Sequence, residues 1–482
     1  MCRHWFSVFF TFATVPLVCL AALFAPRWDD MRVKHSWKTV PENWESLGLP
    51  PNDTTLNIYV ALRSRRPNAM IAALHEVSTP GHSKHVISPL LLHVCTYSHI
   101  HGHRYGAHLS KTQVAELVAP HQYTSEIVGS WLKHHGIISS SVSVTHGGNW
   151  LTIMDVSVSK ANELLGASYQ LYRHAETNET IVRTVGYSLP VALHGHVRTV
   201  APTTFFASPL VLWQTPRKRS RSAGAELVKT ASSEPEPVTA LSGRDDNYEV
   251  TPSILRYMYN AAEYVPLRTS GNVLAIAGYV QQYPSELDLF LFMYEFRRNA
   301  LDATFEFVPI NGGESEPDNP SLLANIDVQY AAAMAYPTPM IYYYTDAGPL
   351  GRDDPYTTWL AYINRQANVP ATISMSYASF EKYVPRDYAH AVCDQFGQLG
   401  LEGVTILFTS GDFGVGPENC QDNGEIEFMP TFPASCMWNF FLCLQAVWHH
   451  RSLDHTATLL QVPGSLALVE RRGQTSPRTR SS

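Results

Sequence analysis

Between residues 272 and 409, strand-like apolar runs alternate with helical segments, and nothing else in the chain limits its fold as strongly. The runs are 272–279, 339–344, 371–377 and 404–409, and the helical segments are 287–298, 326–335, 357–366 and 386–399. Strands joined through helices can pair only as a parallel sheet, which needs helices on both faces to bury it. In such sheets the chemistry gathers at the carboxyl ends of the strands. An α/β unit is therefore expected over 250–436, opening at Val250-Thr251-Pro252.

The part before it reads differently. Residues 6–25 (FSVFFTFATVPLVCLAALFA) follow Arg3 and His4 and end in small residues, the pattern of a secretory signal peptide over 1–25. A membrane anchor is the competing reading, but Pro16 interrupts the run. Residues 34–208 suggest an α+β unit: 56–62 and 150–154 as strands, 69–76, 111–119 and 123–135 as helices. Within it, 86–103 (VISPLLLHVCTYSHIHGH) fits neither period and is expected to be an insertion without function. Its histidines, His93, His99, His101 and His103, match no common metal-ligand spacing. Residues 209–249, with Arg217-Lys218-Arg219 and Glu234-Pro235-Glu236-Pro237, form an expected linker open to processing. Residues 437–482 show no sustained period and are expected to be a tail without a fold of its own.

Charge and cysteine usage narrow the function. A net charge of −7 without a basic face argues against nucleic acid as a partner. Charged residues make up 16%, against the usual ~25%, which suits a glycosylated protein or one that works in acid. The sequons at Asn52 and Asn178 support the secretory route. Seven cysteines, two of them in the leader, leave five for an oxidising compartment and hence one thiol over.

Two acidic residues stand where chemistry could occur. Residues 404–414 (VTILFTSGDFG) read as a buried strand running into a tight turn, with Asp412 at its carboxyl end as acid, ligand or turn cap. Asp327 is placed in the first turn of an Ala-rich helix, where the helix dipole favours a carboxylate.

Ordered short motifs add to this. They are Trp44, EVSTP at 76–80, YGAHLS at 105–110, Trp131-Leu132 and PTTF at 202–205. Further on come Leu255-Arg256, NGG at 311–313, IDVQY at 326–330, SMSY at 374–377, SGD at 410–412 and PTFPAS at 430–435. Over about residues 36–436 the chain resembles the sedolisins, acid-acting serine-carboxyl peptidases related in fold to subtilisin, and among them the fungal tripeptidyl-peptidase type. The resemblance implies an α+β propeptide followed by a partial subtilisin-like α/β domain. The family uses a Ser nucleophile, a Glu base with an Asp behind it on one helix face, and a protonated Asp as oxyanion donor. On this basis Asp327 matches the helix Asp and Asp412 the oxyanion Asp, while Ser374 and Ser376 would meet substrate.

The departures are as specific as the matches. The family's Glu falls at Leu323, and the Gly-Thr-Ser-Ala-Ser nucleophile motif does not occur in these 482 residues. The family's calcium-binding segment is missing as well, so no cofactor is expected. Both the 86–103 stretch and the tail after Cys436 break off as translated noncoding sequence would, so the chain is read as C-terminally truncated. The expected function is that of a secreted tripeptidyl-peptidase zymogen acting on proteins or peptides at acid pH, inactive in this form. Its expected partners are substrate and its own propeptide, with no membrane once the leader is removed. The alternative is a non-catalytic propeptide-bearing protein that binds or inhibits a related peptidase. The propeptide is expected to resist proteolysis alone, with the region beyond Val250 degraded because its strands at 371–377 and 404–409 lack covering neighbours.

Overall fold

A computed structural model describes residues 26–78, 108–207, 250–411, 421–422, 425–426, 429–436, 457–462 and 465–470. The expected leader, the 86–103 insertion, the linker and Asp412 lie outside these residues.

The N-terminal stretch mixes antiparallel strands with helices. Strand β1 (Met31–Ser36) pairs with β8 (Gly186–Pro190), and β2 (Trp44–Gly48), β6 (Gln170–His174) and β7 (Thr180–Arg183) form a second sheet. A third sheet has the order β4 (Val142–Val144), β5 (Trp150–Ser157), β3 (Thr55–Leu62) and β9 (Val197–Ala201). Among the described residues four helices complete it: α1 (Ala69–Ser78), α2 (Lys111–Val118), α3 (Gln122–His134) and α4 (Val158–Leu165). Local sequence sets their ends. Ser110 accepts from the Gln113 N–H while the Gln113 side chain accepts from the Ser110 N–H, a reciprocal cap on α2. The apolar stripe of α3, with Ile127, Val128, Trp131 and Leu132, packs with Ile58 and Val60 of β3 and with Leu164 of α4 in one core.

The α/β expectation for the second unit holds. Strands β10 (Leu274–Tyr279), β11 (Glu306–Ile310), β12 (Met340–Thr345), β13 (Thr372–Met375) and β15 (Thr405–Phe408) form one sheet in the order β11-β12-β10-β13-β15, every pair parallel. The short β14 (Ser379–Phe380) pairs instead with Thr431–Phe432. Helices α5 (Pro252–Met258), α6 (Glu286–Phe296), α7 (Leu322–Ala335), α8 (Pro355–Ile363) and α9 (Arg386–Leu401) accompany the sheet. Ile276, Tyr342 and Tyr344 pack with α6 and α7; Ala275, Ala277, Tyr343 and Met375 pack with α8 and α9. Alternate residues of one strand thus feed different helix layers, as a parallel sheet covered on both faces requires.

Two points of the strand reading need correction. Strand β11 was not foreseen, because Pro309 and Glu306 break its apolar run; at the sheet edge Pro309 forfeits no ladder bond. Strand β13 has neighbours on both sides, β10 and β15, so only β15 of the two suspect strands is an edge. In the tail, Ala457–Val462 and Ser465–Glu470 pair with each other as antiparallel strands, which does not by itself make a fold of the tail.

The two units are not packed as separate bodies. Tyr59, Trp150, Ala201 and Phe205 share a single core with Tyr356, Trp359, Tyr388 and Phe396. The Phe205 ring stacks on Tyr388 at 4.6 Å, and Lys34 pairs with Asp387 at 3.1 Å. Gly351, at φ +59°, lies so close that a Cβ there would come within 2.1 Å of the Thr180 carbonyl oxygen. A disulfide joins Cys393 of α9 to Cys436, 43 residues apart. Closing a loop of that length restricts the unfolded chain, so Cys436→Ser is expected to cost up to about 4 kcal/mol. The check is the urea midpoint, and an unshifted midpoint would show the cross-link to be dispensable.

Candidate active site

Helix α7 carries the first of the expected residues. Its N-cap is Ser321, whose side chain accepts from the Ala324 N–H, so the helix opens at Leu322. Asp327 is therefore in the second turn rather than the first, and the dipole at the helix start does not explain it. Leu323 lies four residues earlier on the same face, half-buried and without a group that could take a proton.

What holds Asp327 comes from the sheet. Ser376, one residue beyond β13, donates from its hydroxyl to Asp327 Oδ1 at 2.9 Å. This joins residues 49 apart in sequence at the carboxyl end of a parallel strand. Ser374, on β13 itself, is half-buried, and the bond to Asp327 is made by Ser376. Tyr342 of β12 lies near enough for the Asp327 charge to help keep its phenol protonated, although burial does most of that. Its hydroxyl donates to the Gln282 carbonyl at 3.0 Å and passes so close to Gly278 that a Cβ there would sit 1.9 Å away.

Burial dominates the electrostatics of Asp327. It pushes the carboxyl up to about 7, and the Ser376 hydrogen bond pulls the other way. The folded protein therefore keeps this proton where an unfolded aspartate has lost it. The resulting stability is fully present below about pH 4 and is lost as pH rises through 7, with an upper bound of about 4 kcal/mol. Glu179, also raised to about 7 by burial, acts with the same sign. Asp327→Asn is expected to flatten its own share of the slope between pH 4 and 8 in chemical denaturation. Identical pH profiles for the two proteins would overturn this.

Two functional-looking clusters escaped the sequence. Asn325 of α7 accepts from the Ser285 N–H at 2.9 Å and donates to Asp288 at 2.7 Å, pinning α7 to the start of α6. A lone amide in an Ala-rich helix was the available signal. Arg183 is 1% exposed and donates to carbonyls of both units. An arginine in a short strand gives no hint of this.

Comparisons with known proteins extend over both units. Residues 89–206 match the pro-kumamolisin activation domain. A probable tripeptidyl-peptidase SED3 of Trichophyton verrucosum is 28% identical over 456 residues, covering 90% of this chain and 69% of that protein. Tripeptidyl-peptidase SED2 of Arthroderma otae is 28% identical over 439 residues, covering 87% of this chain and 68% of that one. The chain thus spans about two-thirds of the length of these relatives. A Pseudomonas sedolisin (serine-carboxyl proteinase), complexed with two molecules of pseudo-iodotyrostatin, aligns at 20% identity. It covers 45% of this chain and 56% of its own with a TM-score of 0.30, too slight a likeness to locate any residue.

Proposed function

We propose that this chain, related to the sedolisin-type tripeptidyl-peptidases through its activation-domain match and its 28% identity to fungal members, is a secreted zymogen form that no longer performs peptidase chemistry. The observation that carries the reading is the pair Asp327 and Leu323. Asp327 is hydrogen-bonded to Ser376 at the carboxyl end of the sheet, which supports its reading as the helix Asp, and one turn earlier Leu323 occupies the position that this reading assigns to the base.

In this reading residues 34–208 are the activation segment, packed on the α/β unit through the shared core, and Asp412 is the oxyanion donor. Acid favours both roles assigned to carboxyls, since a protonated Asp can donate and a carboxylate base works where His would be charged. Protein or peptide would be the substrate class of an intact version. The leader and the sequons Asn52 and Asn178 support secretion. The test is release of product from a tripeptide-amide reporter in acidic buffer.

A second reading, a binding or inhibitory protein, is favoured by one feature. Leu323 removes the base while leaving the core that joins the two units intact. Adding the chain to an active tripeptidyl-peptidase in the same assay separates the readings: an unchanged rate supports the first, a lowered rate the second.

A further inference from the structure

We propose that Ser376 is a positioning residue for Asp327, fixing its carboxyl group through one hydroxyl hydrogen bond, and is not a donor to substrate. The inference rests on Asp327 being the surviving helix carboxyl of the site, and deepens that reading.

The backbone on either side of Ser376 is held. Met375, immediately before it, pairs with Ala277 of β10 and Phe408 of β15, and its carbonyl accepts from the Thr409 N–H at 3.1 Å. Tyr377, immediately after it, is 4% exposed, and its carbonyl accepts from the Tyr356 hydroxyl at 2.9 Å. With both neighbours locked, the serine has little freedom beyond χ1. A hydroxyl on such a mount is pre-organised, the condition for positioning another group.

The acceptor is correspondingly dependent. A carboxylate has room for several donors, and the group that stabilises the charged form of Asp327 against burial is Ser376. The nearby titratable group is Tyr342, a buried phenol that stays neutral, and Leu323 on the same helix face offers no donor. A serine hydroxyl has one proton to give. Here it is engaged with Asp327 Oδ1 at 2.9 Å, so while that bond is kept it has none left for a substrate carbonyl.

The experiment is a pH titration of the aspartate carboxyl carbons in the full-length protein, with the Asp327 signal assigned by its loss in Asp327→Asn. Ser376→Ala is expected to raise the Asp327 midpoint by about one unit, a tenfold gain in proton affinity. Ser376→Thr, which keeps the hydroxyl, is expected to restore it. An unmoved midpoint in Ser376→Ala, or a failure of Ser376→Thr to restore it, overturns the inference. If the unsubstituted protein already titrates near the ordinary aspartate range, the buried site itself is wrong and this inference falls with it. A high midpoint that ignores Ser376→Ala removes this inference alone. Amide spectra matching the parent protein identify variants that have kept the fold.

Discussion

In acidic buffer the purified chain is expected to release no product from a tripeptide-amide reporter above the uncatalysed rate, and not to process itself. The expectation follows from α7. The peptide bond requires a base within reach of the nucleophile, and the residue one turn before Asp327 is Leu323, an alkyl side chain. Removing one member of a catalytic set commonly costs ~10⁴-fold or more, because the members act as a unit. Asp327 cannot compensate. It is tied to Ser376, and burial holds it protonated up to about pH 7, so at acid pH it carries the proton that a base would have to accept. Leu323→Glu alone is expected to leave the chain inactive, since no Gly-Thr-Ser-Ala-Ser segment occurs in the sequence. Acid-dependent cleavage that disappears in Asp327→Ala would refute the reading.

Arg183→Met is expected to destabilise the protein by about 3–5 kcal/mol and to melt both units together. The guanidinium is 1% exposed. Its Nε donates to the Phe205 carbonyl at 3.0 Å and its Nη1 to those of Val182 and Gly351 at 2.9 Å. Nη1 also reaches the Arg352 carbonyl at 3.3 Å, and Nη2 the Asp353 carbonyl at 3.0 Å. Methionine would fill part of the volume but leave these carbonyls buried without donors. It would also remove the cation that faces Asp354 and Asp353, both fully buried. Because the acceptors belong to β7, to Phe205 and to the 351–353 loop, the loss is felt on both sides of the interface. Tryptophan fluorescence and far-ultraviolet circular dichroism should report one coincident transition, shifted in the variant. A cost below about 1 kcal/mol, or two separate transitions, would contradict this. Each unit keeps a core of its own, but the third core is shared, with Phe205 stacked on Tyr388, so removing either unit would expose that layer of the other.

Periodicity was enough for most of the α/β unit. Four of the five parallel strands and four of its five helices lie where apolar spacing puts them, because burial on both faces writes near-continuous apolar runs into the chain. Strand β11 was not legible, since an edge tolerates Pro309 and a polar end. The start of α7 was missed for a different reason. Ser321 is an ordinary cap, but it precedes a Leu-Leu-Ala-Asn run that the eye reads as approach rather than helix.

The site divides in the same way. Asp327 was legible in the sequence as a helix carboxylate, while its role and the meaning of Leu323 came only from the resemblance to the family's motif. That Ser376 is the residue bonded to Asp327, and that Arg183 joins the two units, depends on contacts between residues 49 and about 170 apart. Such contacts are set by how layers pack and by which backbone oxygens are left without donors in the interior. Only the folded chain decides them, since a side chain's partner there is chosen by burial and geometry, not by its neighbours in sequence.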